Sequence, residues 1–169
     1  MPFLQNLIVP SKELPRSLKC IHLMFEALDA TSCSALGSAV SCYEVAGAFA
    51  LKREVFEKPI ASYQLVQEKL VQMVLEITKA QLLTYHLGRL LDQHKARPPQ
   101  ISMVKLNNVR EAMKIARTAR DILGARGILA DHHVIRHLCD LEAMSTLEGT
   151  ESIHTLVIGQ DLTGISAFH

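Results

Sequence analysis

The sequence has no tryptophan, only three tyrosines and five phenylalanines, and no excess of either charge. Scarce aromatics beside abundant Leu, Ala, Ile and Val argue against a β-sandwich and for a helical bundle. Eighteen basic and 17 acidic residues leave a formal net charge of +1. No basic stretch is long enough to track a phosphate backbone, so nucleic-acid binding has no electrostatic support. No apolar run reaches the roughly 18 residues that would suggest a membrane span. The four cysteines, Cys20, Cys33, Cys42 and Cys139, form no CxxC pair. Their apolar helical surroundings predict buried thiols in a reducing compartment. The opening MPFLQNLIVPSKELP is neither an Arg-rich presequence nor a secretory signal, and the closing ISAFH is not a peroxisomal address.

What is present is helical periodicity over a length that suits one domain. Residues 3–15, punctuated by Pro10 and Pro15, read as extended chain and loop. From Ser17, apolar residues recur at helical spacing through Ile21, Phe25, Leu28, Leu36, Val40 and Tyr43 to about Lys52. Gly37 and Gly47 in that stretch mark candidate close helix contacts. Pro59 breaks the pattern, and Ser62 is the expected N-cap of a second helix. Its stripe is Val66, Leu70, Met73, Ile77, Ala80, Thr84, Leu87 and Leu91, to about Lys95, where Pro98 and Pro99 stop it.

A third helix is predicted from about Ile101 to Leu123. Val109, Ala112, Ala116, Ala119 and Leu123 face inward, and Arg110, Lys114, Arg117 and Asp121 face outward. Gly124 and Gly127 terminate it. Asp131 is expected to cap a shorter helix to about Met144, and Thr150 a last one through about Asp161. Three long helices and two shorter ones predict an all-α fold, an antiparallel bundle with a four-helix up-and-down core.

Some chemistry-bearing patterns carry little by themselves. His133 and His137 are spaced i, i+4, but without an HExxH motif an ordinary polar helix face outweighs a metal site. The strip Arg110, Lys114, Arg117 and Arg120 reads as a solvated face or a subunit contact.

The second half carries denser signals. GILADHHVIRH, from Gly127 to His137, is followed by DLE at Asp140 to Glu142 and LEGT at Leu147 to Thr150. IHTLVIG from Ile153 to Gly159 and TGI from Thr163 to Ile165 follow. Upstream stand KLNN at Lys105 to Asn108, ARTARDILG at Ala116 to Gly124 and QLVQEKL at Gln64 to Leu70. In order and spacing these resemble the C-terminal domain of the acyl-CoA dehydrogenase and oxidase family, closest to the glutaryl-CoA dehydrogenase branch. The resemblance runs from about Val9 to Phe168. It makes residues 1–15 the remnant of a middle β domain or linker and residues 16–169 the helical domain, with the other parts of the family's chain missing.

The resemblance implies α,β-dehydrogenation of an acyl-CoA, glutaryl-CoA-like or short-chain, with FAD as hydride acceptor. Glu148 stands at the catalytic base, whose pull on a weakly acidic α proton requires desolvation and accurate placement. Thr150 stands at a flavin hydrogen-bonding position, and Ser152 where the family keeps Asp or Gln. Arg53 resembles the arginine that reaches the FAD pyrophosphate of a neighbouring subunit, and Phe56 follows at an aromatic position that suits a core anchor equally. Gly124 and Gly127 resemble glycines that let backbone approach the adenosine half of FAD. Self-association, commonly as a homotetramer, and a mitochondrial-matrix setting also follow from the resemblance.

Departures cluster at ligand contacts. Val55 replaces a hydrogen-bonder, Glu57 a glycine, Arg126 an asparagine, Leu147 a tyrosine and Leu28 an arginine. A catalytically inactive scaffold or oligomerisation module of the same family is therefore the rival expectation.

Overall fold

The computed structural model describes residues 16–168, with side chains from residue 30 onward. The extended segment expected over residues 3–15, and the side chains of Ile21, Phe25, Leu28 and Cys20, lie outside the described residues. Helices α1 (Arg16–Lys52), α2 (Gln64–Asp92), α3 (Pro98–Leu123), α4 (Val134–Thr146) and α5 (Glu151–Thr163) make up the described fold. A two-residue hairpin, β1 (Glu54–Val55) and β2 (Lys58–Pro59), interrupts α1 and α2. The bundle is all-α and up-and-down, as the periodicity predicts. Its fourth member is split: α4 and α5 both pack along α3 and meet at a break over Leu147–Thr150.

The core is built from small residues on α1 against larger ones elsewhere. Ala35, Ala39, Cys42, Ala46 and Ala50 are buried, while Leu36, Val40 and Tyr43 pack at the margin. The α1 face turned inward is thus one residue off the expected stripe, because alanines let helix axes approach closely. On α2, Met73, Ile77, Ala80 and Leu87 are buried, and on α3 Val109, Ala112, Ala116, Ala119 and Leu123 are buried, as predicted. The stretch Ala30–Lys52 is, contrary to expectation, long and apolar enough to cross a membrane by composition, but its alanine face is bundle core.

Several local expectations are corrected. The α2 N-cap is Tyr63, and the Ser62 hydroxyl instead donates to the Pro59 carbonyl at 2.8 Å. Helix α3 starts at Pro98, since proline at the first turn loses no hydrogen bond. Its start is closed by the Gln100 side chain, which accepts from the Arg97 amide. Asp131 lies in a 3₁₀ turn, and α4 begins after His133, whose φ is 61°. Gly37 and Gly47 meet nothing within 4 Å where a Cβ would stand, so neither marks a close contact. Among the described residues, of the expected buried thiols only Cys42 is buried, and burial pushes it up to about 12; Cys33 and Cys139 are exposed.

Asn108, buried on α3, ties three helices together by donating to Thr84 Oγ1 (2.8 Å) and to the Ser32 carbonyl. The outer strip is neutralised pairwise: Arg110 meets Glu151, Lys114 meets Glu111 and Arg117 meets Glu142. These exposed pairs contribute little stability each, but Arg117–Glu142 and Arg110–Glu151 set α4 and α5 against α3.

The hairpin turns on Phe56 (φ 53°) and Glu57 (φ 63°). Tyr63 braces it by donating to the Val55 carbonyl, with Lys58 over its ring. Left-handed backbone costs a side-chain-bearing residue about 1–2 kcal/mol. Glu57→Gly is expected to raise stability by about 0.5–1 kcal/mol in urea denaturation, the relief exceeding glycine's entropic cost.

Candidate functional site

The break in the fourth helix is where the sequence places Glu148. Helix α4 ends when Leu147 turns extended, Glu148 adopts φ 57° and Gly149 φ 95°. Thr150 then caps α5, its hydroxyl accepting from the Ile153 amide at 3.4 Å, as predicted. Two left-handed residues in succession reverse the chain tightly enough to start a second helix beside the first. Gly149 is required there twice over. Besides its φ, a Cβ would stand 3.1 Å from the His154 ring.

The break is held from below by a residue the sequence reading assigned no site role. Lys105, on the inner side of α3 and 1 % exposed, donates to the carbonyls of Leu147 (3.1 Å) and Gly149 (2.5 Å). Burial lowers its affinity for a proton, and the Glu148 carboxylate opposes that shift. The signal was in the spacing: Lys105 falls in register with Asn108 and Ala112 on the inward face, where an unpaired ammonium would be costly.

His154 lies beneath Gly149 and is 3 % exposed, with neither ring nitrogen in a good hydrogen bond. Burial first, then the Lys105 charge, depress its pKa, while the backbone of Glu148 and Gly149 pulls the other way. A cavity of about 20 Å³ lies here between Lys105, Val109, Met113, Ser145 and His154. That is room for about one water and none for an acyl chain.

Glu148, Thr150 and Ser152 are exposed. The desolvation expected of the base is therefore not supplied by this chain's own fold; a second surface would have to provide it. Leu147 is exposed too, so an apolar side chain flanks the carboxylate.

The remaining predicted residues gather at the far end of α1 and α3. An open groove of about 590 Å³ is lined by Phe49, Lys52, Arg53, Glu54, Arg126 and His132, among others. The Arg126 guanidinium lies over the Phe49 ring, and the His132 ring meets Phe49 edge-on. Gly124 (φ 59°) ends α3, and Gly127 packs so closely that a Cβ would stand 2.5 Å from the Arg120 carbonyl oxygen. Phe56 is no core anchor: it is 86 % exposed at the hairpin tip. Lys105 and Leu123 are 18 residues apart on α3, so the two clusters are separated by roughly 27 Å along the helix.

His137, one of the helix-spaced pair, shares a hydrogen bond with Ser41 of α1 at 3.1 Å. Burial, then Arg136, lower its pKa, against Asp140.

Residues 24–163 match the family model described as the acyl-CoA dehydrogenase C-terminal domain. The chain is 50 % identical to glutaryl-CoA dehydrogenase from Mycobacterium smegmatis, with a TM-score of 0.86 over 88 % of this chain and 38 % of that one. A glutaryl-CoA dehydrogenase from the same organism, solved in complex with FADH2, is 47 % identical with the same coverage and TM-score. The human mitochondrial short-chain specific acyl-CoA dehydrogenase is 34 % identical over 76 % of this chain and 31 % of its own length. The chain thus spans about two fifths or less of these relatives.

Two outcomes follow from the geometry. Lys105→Met removes the donor to the Leu147 and Gly149 carbonyls and is expected to cost about 1–3 kcal/mol, with faster amide exchange at the break than in the α1 core. His154 and His137 have folded pKa values below the ordinary value of about 6.5. The unfolded chain therefore binds more protons, and stability is full above about 6.5 and declines as pH falls through it. Urea midpoints at pH 7.5 and 5.5 should show that loss, reduced in His154→Leu.

Proposed function

The chain belongs to the acyl-CoA dehydrogenase family, as its C-terminal domain, and from that premise we propose that it forms the helical wall of an FAD-dependent site where Glu148 takes the α proton of an acyl-CoA. The observation that carries this is the construction of the break. A carboxylate rides on a left-handed residue whose neighbours' carbonyls are both fixed by a buried ammonium. A surface acid with no task needs no such support, and strained backbone at a braced position favours function.

Each residue then has a defined task. A Glu148 carboxylate oxygen accepts the proton. Lys105 fixes the backbone on either side of it. The Thr150-capped start of α5 presents amide groups and a positive helix end to an anionic or polar edge beside it. Bound FAD supplies the hydride acceptor for the β hydrogen. Its fit here is that of two half-sites: Thr150 and Ser152 at the break, and Arg53 with Gly124 and Gly127 roughly 27 Å away. One flavin held between two subunits accounts for that separation, with Arg53 on the pyrophosphate and Phe56 reaching outward to the neighbour. Exposed Leu65, Leu75, Leu82 and Tyr85 on α2 support self-association or pairing with family subunits. The likeness to glutaryl-CoA dehydrogenases supports a glutaryl-CoA-like or short-chain substrate.

The exposure of Glu148 favours one rival, a catalytically inactive scaffold of the same family. The experiment separates them. The purified chain with added FAD is expected to be yellow, with a flavin absorbance band. In D2O it should exchange the α protons of a short acyl-CoA. Glu148→Gln should retain the flavin and lose exchange by about 100-fold or more. Unchanged exchange removes Glu148 from the mechanism, and a colourless oligomer that takes up no FAD supports the scaffold.

A further inference from the structure

We infer that Arg126 is a second phosphate-binding arm beside Arg53, which makes the groove at the C-terminal ends of α1 and α3 a site for the diphosphate of a nucleotide. The inference deepens the FAD reading and rests on it for the identity of the natural ligand, not for the site itself.

Charge comes first. Lys52, Arg53 and Arg126 line the groove against a single carboxylate, Glu54. Among the described residues, Arg53, Arg89, Arg126 and Arg136 enter no ion pair, and of these four only Arg53 and Arg126 line the groove. Two guanidiniums facing one open volume without carboxylates of their own leave a net positive field there. A diphosphate, with its closely spaced negative oxygens, is the complement such a pair selects over a single phosphate.

Position comes second. Arg126 is not on a loose loop. The 3₁₀ turn Gly124–Ile128 that carries it is locked by Gly127 against the Arg120 backbone, and the guanidinium rests over Phe49 at 5.9 Å. Arg53 follows the end of α1 directly, its amide bonded to the Phe49 carbonyl at 2.8 Å. Phe49 therefore seats the Arg126 guanidinium through its ring and anchors the Arg53 backbone through its carbonyl. The groove, about 590 Å³, has room for a nucleoside diphosphate.

The test is calorimetric titration of the full chain with ADP, AMP, inorganic pyrophosphate and FAD, at low and high salt. ADP is expected to bind at least about tenfold tighter than AMP, with affinity falling as salt rises. Arg126→Asn should weaken ADP by about tenfold or more, and Arg126→Lys should restore only part, because a lysine cannot pair bidentately. Both positions are exposed, and unchanged thermal unfolding will confirm that the variants fold. ADP binding that is absent in the native chain, or equal in Arg126→Asn, overturns the inference. Binding of ADP through Arg126 without uptake of FAD upholds this site while removing the flavin reading. Loss on Arg53→Ala alone, with Arg126→Asn silent, overturns the second arm and leaves that reading standing.

Discussion

The Lys105 ammonium, buried on α3 and bonded to the Leu147 and Gly149 carbonyls, is the contact on which the rest of the candidate site depends. Helix α4 ends with carbonyls that have no partner in their own helix, and the chain must then pass through two left-handed residues before α5 can start. A cation at the negative end of α4 satisfies the Leu147 carbonyl and complements the helix dipole, and its second bond, to Gly149, holds the turn that follows. Burial makes each bond stronger than it would be in water, and makes loss of either partner costly. The Glu148 carboxylate inherits a fixed base of backbone although its own side chain is exposed.

Helix α3 is the strut of the molecule. It carries Lys105 and Asn108 at one level, the paired outer cations along its length, and the Gly124–Ile128 turn at its end. Both clusters of candidate residues are thus referred to one rigid rod, at a separation set by helical rise. A flavin bridging two copies would use each chain twice, once at the break and once at the arginine groove. The arrangement also explains how a chain with exposed candidate residues can keep a well-packed interior. The core and the candidate residues are carried by different faces of the same helices.

Much of this was legible in advance, for reasons that differ by element. The α2 face could be read because large side chains recur at helical spacing, and the α3 face because Arg110, Lys114, Arg117 and Asp121 mark the opposite, solvated side. Thr150 could be read because an N-cap is a local hydrogen bond. The α1 register could not, since alanines carry weak hydropathy and their burial depends on how closely a neighbour approaches. Ser62 and Asp131 have capping chemistry, but Tyr63 and His133 occupy the cap positions. Lys105 was visible as a cation on an apolar stripe, although its partners lie more than forty residues away.

Local pattern alone thus determined the helical class, the number and order of the main helices, the inward faces of α2 and α3, and the motif that places Glu148 before a capped helix. These follow from spacing, caps and breakers within a few turns of chain. Only tertiary structure decided that Lys105 grips the break, that Arg126 joins Arg53 in one groove, that Phe56 stands outward and that Glu148 is left exposed. Each of those depends on which distant segments meet, and a one-dimensional pattern contains no distances between them.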